Sequence, residues 1–299
     1  MFAAIHQILV VFFGIIVGYL GRRLKIITPE GTDVLSSIVV KMVLPLYLFN
    51  AIATSDASVG LGGIALTLAL ATAMYLLCGG IGRLLVPLFC SDKQDKPVYI
   101  FETLCANVTY VGIPVCTAVF GSTAKFYASL MNIPFSLLCF SLGIFMLSGK
   151  TSLRKAFNPA FVAGVLAVVV YAARIPVPAL LLEASGFIGQ ATSPCAMLII
   201  GSVLGGVPLK ELFADWRVFP YCFIRLLLLP AVVMLLSSFL PIDPVLRGCV
   251  ILMSAMPAAT NATMLCSIYG GNSQLSAKLI SISALFSMIT IPMWTLFLS

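Results

Sequence analysis

Charge is what this sequence lacks most. Of 299 residues only 17 are Lys or Arg and 10 are Asp or Glu, 9% in all, where a soluble domain carries roughly 25%. With 61% hydrophobic residues and a mean hydropathy of +1.13, a water-soluble fold is excluded, and the chain is read by counting membrane spans instead of globular domains. Other absences narrow the chemistry. There is one histidine, His6, read as a solvated end residue at the extracytoplasmic rim, and the nine cysteines show no CxxC or other metal-ligand spacing. Neither a metal centre nor a disulfide framework is expected, and cysteines inside apolar runs serve as small hydrophobes. No Gly-rich loop is followed by a phosphate-binding lysine, which removes an ATP motor. No two acidic residues lie close together within the apolar runs, which removes a paired-carboxylate hydrolase. No catalytic residue, metal or cofactor is assigned. The N-terminus lacks a basic region and a small-residue cleavage site, and reads as a first span instead of a signal peptide.

What is present is a series of apolar runs. Ten spans are predicted at 4–20, 34–54, 61–88, 98–121, 124–147, 159–174, 179–204, 217–240, 244–269 and 274–298. The longest polar insert, Ser148–Phe157, joins two halves: a first five-helix repeat over 1–147, a linker over 148–158, and a second repeat over 159–299. With ten spans, one set of loops holds Arg22, Arg23, Lys25, Arg83, Lys93, Lys96, Lys150, Arg154, Lys155, Lys210, Arg217 and Lys278, and the other only Lys125, Arg174 and Arg247. By the positive-inside rule the first set is cytoplasmic and both termini are extracytoplasmic. The net charge of +7 thus records topology in a plasma (inner) membrane, and the partner it implies is the lipid bilayer, not nucleic acid.

The halves echo each other. Gly14–Pro29 lies about 150 residues before Gly164–Pro178, and Pro45 lies 149 residues before Pro194. Five spans per half is an odd number, so the second half enters the membrane the opposite way round, as in the inverted repeats of secondary transporters. Two spans in corresponding places carry the wrong residues for a continuous membrane helix. Phe101–Gly121 contains Asn107, Thr109, Tyr110, Gly112 and Pro114, and Val250–Gly270 contains Pro257, Asn261 and Thr263. A proline removes a backbone donor and clashes with the preceding turn, and Gly112 is expected to supply permissive dihedrals just ahead of Pro114. Freed backbone groups, half-helix ends and the Asn and Thr side chains together suit a small polar or anionic solute. The competing reading is a pair of kinked spans whose hydroxyls bond back to their own carbonyls. Asn50 and Ser193, close to Pro45 and Pro194, are candidates for the opposite wall of the solute cavity, or mere neighbours of scaffold kinks.

Ionisable groups inside spans are rare and usually functional or paired. Glu102 opens the fourth span from the cytoplasmic side, and Arg225 lies about as deep in the eighth as Lys41 does in the second, from the same side. They are expected either to neutralise each other as a structural ion pair or to make Glu102 a proton carrier. Lys41 is expected to snorkel to the cytoplasmic surface.

Asn107–Gly121, Phe157–Leu166, Ser193–Gly201, Arg225–Pro230 and Met256–Gly271, in this order and spacing, resemble the auxin efflux carrier family, whose bacterial members are malate- and malonate-like permeases. The resemblance implies an all-α integral membrane fold of ten transmembrane helices, arranged as two inverted five-helix repeats related to sodium–proton antiporters and bile-acid symporters. It also implies that broken helices 4 and 9 cross at the solute site. Spans 1, 2, 6 and 7 would form a scaffold that homodimerises, and spans 3–5 and 8–10 a moving transport domain. Carried over by position, Asn107, Tyr110, Gly112 and Pro114 would meet Pro257, Asn261 and Thr263. The function implied is elevator-type transport of a small mono- or dicarboxylate. Proton or sodium coupling fits the family, whereas the absence of a carboxylate from span 3 and from the crossing also allows uniport. The rivals are a sodium-coupled symporter of bile-acid-like anions and a non-transporting membrane sensor.

Overall fold

Helix is the regular structure of this protein, and the sequence signs its own helix starts. The computed structural model describes residues 2–150 and 156–298. Met1, Ser299 and the middle of the linker, with Arg154 and Lys155 of the basic set, lie outside the described residues. The helices are α1 (Phe2–Arg23), α2 (Pro29–Ala53), α3 (Leu61–Leu88), α4 (Asp95–Leu104), α5 (Val108–Phe120), α6 (Ser122–Ser148) and α7 (Pro159–Ala172). They continue as α8 (Ala179–Gly206), α9 (Leu209–Ala214), α10 (Val218–Ser238), α11 (Pro244–Ser254), α12 (Ala262–Tyr269) and α13 (Ser273–Leu298). Thr28-Pro29, Asn158-Pro159 and Asp243-Pro244 open α2, α7 and α11. In each the first side chain accepts an amide three residues on, and the proline occupies a position whose N–H has no helical partner.

Among the described residues, α2, α3, α6, α8, α10 and α13 are long and apolar enough to cross a bilayer, and α5, α7 and α11 are shorter apolar helices. The chain is an all-helical multi-pass membrane protein. Its outer faces carry exposed Leu9, Phe13, Leu84, Leu180, Phe187 and Leu235, the side chains that lipid covers. Tyr75, Tyr99, Phe101, Phe126 and Tyr221 are wholly buried.

Prolines within the spans bend the hydrogen-bond ladder without breaking it. One turn of π-helix precedes each of Pro45, Pro114 and Pro230, at Val39–Val43, Val108–Gly112 and Ile224–Leu228. The residue before the proline donates five residues back: Leu44 to Val39, Ile113 to Val108, Leu229 to Ile224. A widened turn relieves the clash of the ring with the carbonyl four residues earlier and keeps other backbone groups paired inside the membrane.

The helices pack in two groups. In the first, α8 packs on α1 and α2, and α2 on α7; in the second, α3 to α6 pack with α10 to α13; α6 also leans on α2 and α7, and α8 on α5 and α13. Helix α1 lies on the second section of α8 (Thr192–Gly206) through two G-x-x-x-G runs, Gly14/Gly18 and Gly201/Gly205. A Cβ on Gly201 would stand 2.0 Å from the Ile15 carbonyl oxygen, and one on Gly18 2.4 Å from that of Leu198. Backbone touches backbone here, the packing mode that small residues permit in membranes. At the end of the molecule bearing the basic loops, Arg217 bridges Asp95 (3.1 Å) and Asp215 (2.8 Å), and Asn272 donates to Asp95 (2.9 Å), tying together the starts of α4, α10 and α13.

Two measurements check these contacts. Gly201→Ala must push two helix backbones apart and is expected to destabilise the protein by about 1–3 kcal/mol, read as a lowered Tm in detergent. The second concerns pH. The Arg217 guanidinium holds the Asp215 carboxyl below its usual range, so its contribution is complete above the unfolded value of about 3.9 and is lost as pH falls through the depressed folded value. Arg217→Gln is therefore expected to lower stability by about 1 kcal/mol or less, equally at about pH 8 and about pH 5. A loss confined to one of these conditions would contradict the assignment.

Candidate functional site

Helix α4 stops at Leu104 and α11 at Ser254, each in the middle of an apolar run, and their continuations α5 and α12 begin only after an extended stretch. The extended pieces satisfy each other. Ala106 and Ala258 form an isolated antiparallel bridge in which Asn107 N–H donates to the Pro257 carbonyl (2.7 Å) and Ala259 N–H to that of Cys105 (3.0 Å). Ser283 of α13 accepts the Ala258 N–H (3.1 Å). Unwound backbone survives at membrane depth only where protein or a cavity receives it, and here both do.

Each break leaves a helix N-terminus behind it. Asn107 Oδ1 caps α5 by accepting the Tyr110 N–H (3.3 Å). Asn261 is the N-cap residue of α12, but its side chain makes no capping bond. Asn107, Thr109 and Tyr110 from one start, with Ala259, Thr260 and Asn261 from the other, line a single cavity. Val40 and Leu44 of α2, Asn132, Phe135, Ser136 and Phe140 of α6, and Asn158 and Ala160 at the start of α7 complete its wall. None of these side chains is charged. Helix starts, four amide side chains and the hydroxyls of Thr109, Tyr110, Ser136 and Thr260 therefore make up its polar character. Asn132 Nδ2 donates to Thr109 Oγ1 (2.5 Å), and Asn132 Oδ1 accepts from Ser136 Oγ (3.4 Å). The buried Tyr110 hydroxyl has no hydrogen-bond partner.

The free space in the cavity is about 30 Å³, enough for a water, which needs ~10–15 Å³, and too small for a carboxylic acid. Beside it opens a vestibule of about 430 Å³, sharing Thr260 and Asn261 with the cavity and lined further by Thr32, Asp33, Ser36, Thr263, Ser267 and Ser273. Next to the vestibule a second hollow is lined by Arg22, whose Nη1 is buried without a partner, and by Thr32 and Asp33. Both open at the end of the molecule that carries the basic loops.

The structure brings together Asn107, Thr109, Tyr110 and Asn261, with Pro257 in the bridge and Thr263 on the vestibule wall. It places Gly112 and Pro114 differently from expectation. The first break falls at Cys105–Asn107, upstream of Pro114, which the π-turn absorbs. Gly112 is helical (φ −62°, ψ −51°), and what needs a glycine there is room: a Cβ would lie 2.5 Å from Met253 Sδ. Asn50 and Ser193 are not among the cavity walls. Asn50 donates instead to Leu182 O (2.8 Å) and Ser185 Oγ (3.4 Å), joining α2 to α8. Glu102 and Arg225 are both fully buried and near each other, but no N···O distance between them closes to an ion pair of 4.0 Å. Glu102 accepts from Ser276 (2.5 Å), and Arg225 Nη1 donates to Thr103 O (3.3 Å). Lys41 is exposed in the π-turn of α2. Asn132, Ser136, Asn158 and Thr260 are wall residues that sequence reading missed. The signal for the first two was the run Asn132-Ile133-Pro134-Phe135-Ser136, polar groups beside a proline in an apolar span.

Paired unwound segments inside an apolar helical body, facing a cavity with a vestibule, define a membrane transport protein. The model of the family described as membrane transport proteins matches residues 3–152 and 144–295. The chain belongs to that family, the auxin efflux carriers. It is 25% identical over 301 residues to an uncharacterized transporter of Methanocaldococcus jannaschii, covering 96% of each chain. It is 23% identical over 299 residues to an uncharacterized transporter of Methanothermobacter thermautotrophicus, covering 98% of each.

Proposed function

We propose that this protein is a secondary transporter of small organic anions, mono- or dicarboxylates, working by elevator-type alternating access. The observation that carries the reading is the convergence of two half-helix N-termini, α5 and α12, on one uncharged cavity. Such ends attract a carboxylate through oriented N–H groups and dipoles without burying a permanent countercharge. Asn261, free of capping duty, Asn107, and the amides of Asn132 and Asn158 supply the remaining donors. At the vestibule mouth Arg22 stands with Asp33, so both signs of charge are present there.

The ten-span count follows if α4 with α5, and α11 with α12, each cross the membrane as one broken span, with α9 lying outside. Spans 1 to 5 and 6 to 10 are then inverted repeats whose broken members cross at the bridge. The two packing groups support a division into a scaffold of α1, α2, α7 and α8 and a transport domain of α3 to α6 and α10 to α13. The scaffold's outward face, with Leu180, Leu181 and Phe187 exposed, is where a second copy would pack. By the positive-inside rule the vestibule faces the cytoplasm of a cell whose plasma membrane holds both termini outside. The conformation is then inward-facing, with the cavity itself collapsed.

The test is a thermal-shift screen of purified protein against mono- and dicarboxylates, with and without sodium, followed by exchange of the best ligand in proteoliposomes. A carboxylate is expected to raise Tm and to exchange. Asn107→Ala, Asn132→Ala and Asn261→Ala are expected each to weaken its binding by about 1–2 kcal/mol, or about 5- to 30-fold, while the unliganded Tm stays within a few degrees. Stabilisation by none of the acids, or unchanged affinity in all three variants, would overturn the site.

A further inference from the structure

Glu102 and Arg225 are the two wholly buried charged side chains of the transport group, each with no exposed surface. A buried pair kept only for stability is expected to close and to satisfy its remaining hydrogen-bonding groups. This one does neither: Glu102 Oε2 and Arg225 Nε and Nη2 are buried without partners. The other carboxylate oxygen is engaged in a specific way. Glu102 Oε1 lies 2.5 Å from Ser276 Oγ, and Ser276 Oγ lies 3.3 Å from Thr263 Oγ1. Thr263 is half-buried and forms part of the vestibule wall. A continuous file of two hydroxyls therefore runs from a buried carboxylate to the vestibule. Glu102 is also three residues ahead of Cys105, where the break beside the cavity begins.

We propose that Glu102 is the coupling site of this carrier, exchanging one proton with the vestibule through Ser276 and Thr263 and thereby permitting an anion to occupy the cavity. This rests on the organic-anion reading above and names the ion and the charge state that go with it. In the deprotonated form Thr263 donates to Ser276 and Ser276 to Glu102 Oε1. On protonation, a hydronium ion in the vestibule gives a proton to Thr263 Oγ1 and is left as water, Thr263 passes its own proton to Ser276 Oγ, and Ser276 passes its own to Glu102 Oε1. Each O–H bond formed is matched by one broken, and both hydroxyls end neutral and turned round. The other titratable groups around the carboxylate are Tyr221 of α10, Cys105 after α4, Cys139 of α6 and Cys266 of α12, with Tyr75 and Cys78 of α3 beside Arg225. These are phenols and thiols. Lys278 of α13 faces Asp215 at the loop end instead. Among the described residues, Arg225 is the one charged side chain facing Glu102.

The coupling is a matter of charge. With Glu102 ionised and the cavity empty, Glu102 and Arg225 sum to zero. With Glu102 protonated, Arg225 is left unmatched, and a monovalent anion in the cavity restores the sum to zero. The other two combinations carry a net charge through the membrane core, which costs several kcal/mol, and do not cross. The carrier is thus a proton–anion symporter for a monovalent carboxylate, including a dicarboxylic acid in its singly protonated form.

The test uses proteoliposomes of wild type, Glu102→Gln and Ser276→Ala, with radiolabelled lactate and malonate as probes and both net accumulation and exchange measured. Wild type is expected to accumulate a probe when the outside is made acidic. In Glu102→Gln, held in the protonated-like form, accumulation is expected to fall about tenfold or more relative to exchange, because the empty carrier cannot return. In Ser276→Ala the same ratio is expected to fall severalfold. Net accumulation by wild type that ignores the pH gradient, or an unchanged ratio in Glu102→Gln, overturns the coupling while leaving the anion reading intact. If neither probe moves, or Glu102→Gln does not fold, infrared difference spectra of substrate-free protein on a pH jump decide. A carboxylic-acid band whose appearance slows in Ser276→Ala and Thr263→Val supports the relay, and no such band, or unchanged kinetics, overturns it.

Discussion

A membrane leaves no water for an unpaired amide, and the centre of this molecule is built around that constraint. Asn107 N–H on the Pro257 carbonyl and Ala259 N–H on the Cys105 carbonyl allow two helices to come apart in mid-membrane, because each extended piece is the hydrogen-bonding partner of the other. Remove one segment and the other is orphaned. From this reciprocity follow two helix starts in the apolar core, the cavity between them, and a polarity made of dipoles, amides and hydroxyls, with no fixed charge in the cavity wall.

A site of that kind suits a carrier that must be emptied as readily as filled. A permanent Arg in the cavity would hold a carboxylate firmly and leave its own charge bare in the empty state. Here the charged residues stand one layer back, on α4 and α10, with a protonatable partner and a hydroxyl route to the vestibule. The grouping of helices suits the same task. Gly18 and Gly201 lock α1 to α8 backbone against backbone, and Arg217 with Asp95, Asp215 and Asn272 fastens the ends of α4, α10 and α13. Each group has fastenings of its own, and the cavity lies where the two groups meet.

Much of this was legible in the sequence, for physical reasons that also explain the misses. Apolar length, sparse charge and paired polar interruptions give the helices and the two breaks directly, since each reports what a bilayer tolerates. Where a chain unwinds is less legible. Proline was the visible breaker, but Pro45, Pro114 and Pro230 each ride on a π-turn, and the first break is set by a partner strand that no local signal announces. Gly112 was read for its dihedrals and serves by its size, which depends on Met253, some 140 residues away in the chain. Asn132 and Asn158 reach the cavity only because α6 and α7 pack around it. Asn50 looked equivalent to them in type but spends its amide on α8. Composition tells which side chains can bind; packing tells which of them face the solute.

The central claim is that the solute sits where the two half-helix starts meet. The most direct measurement places a cysteine at Thr260, which lines both cavity and vestibule, in a background where the accessible Cys195 is replaced and the other eight native thiols are buried. A membrane-impermeant thiol reagent applied from the basic-loop side is expected to label Thr260→Cys, and a carboxylate that stabilises the protein is expected to protect it with the same concentration dependence. Labelling that proceeds unchanged while the carboxylate is bound would contradict the account.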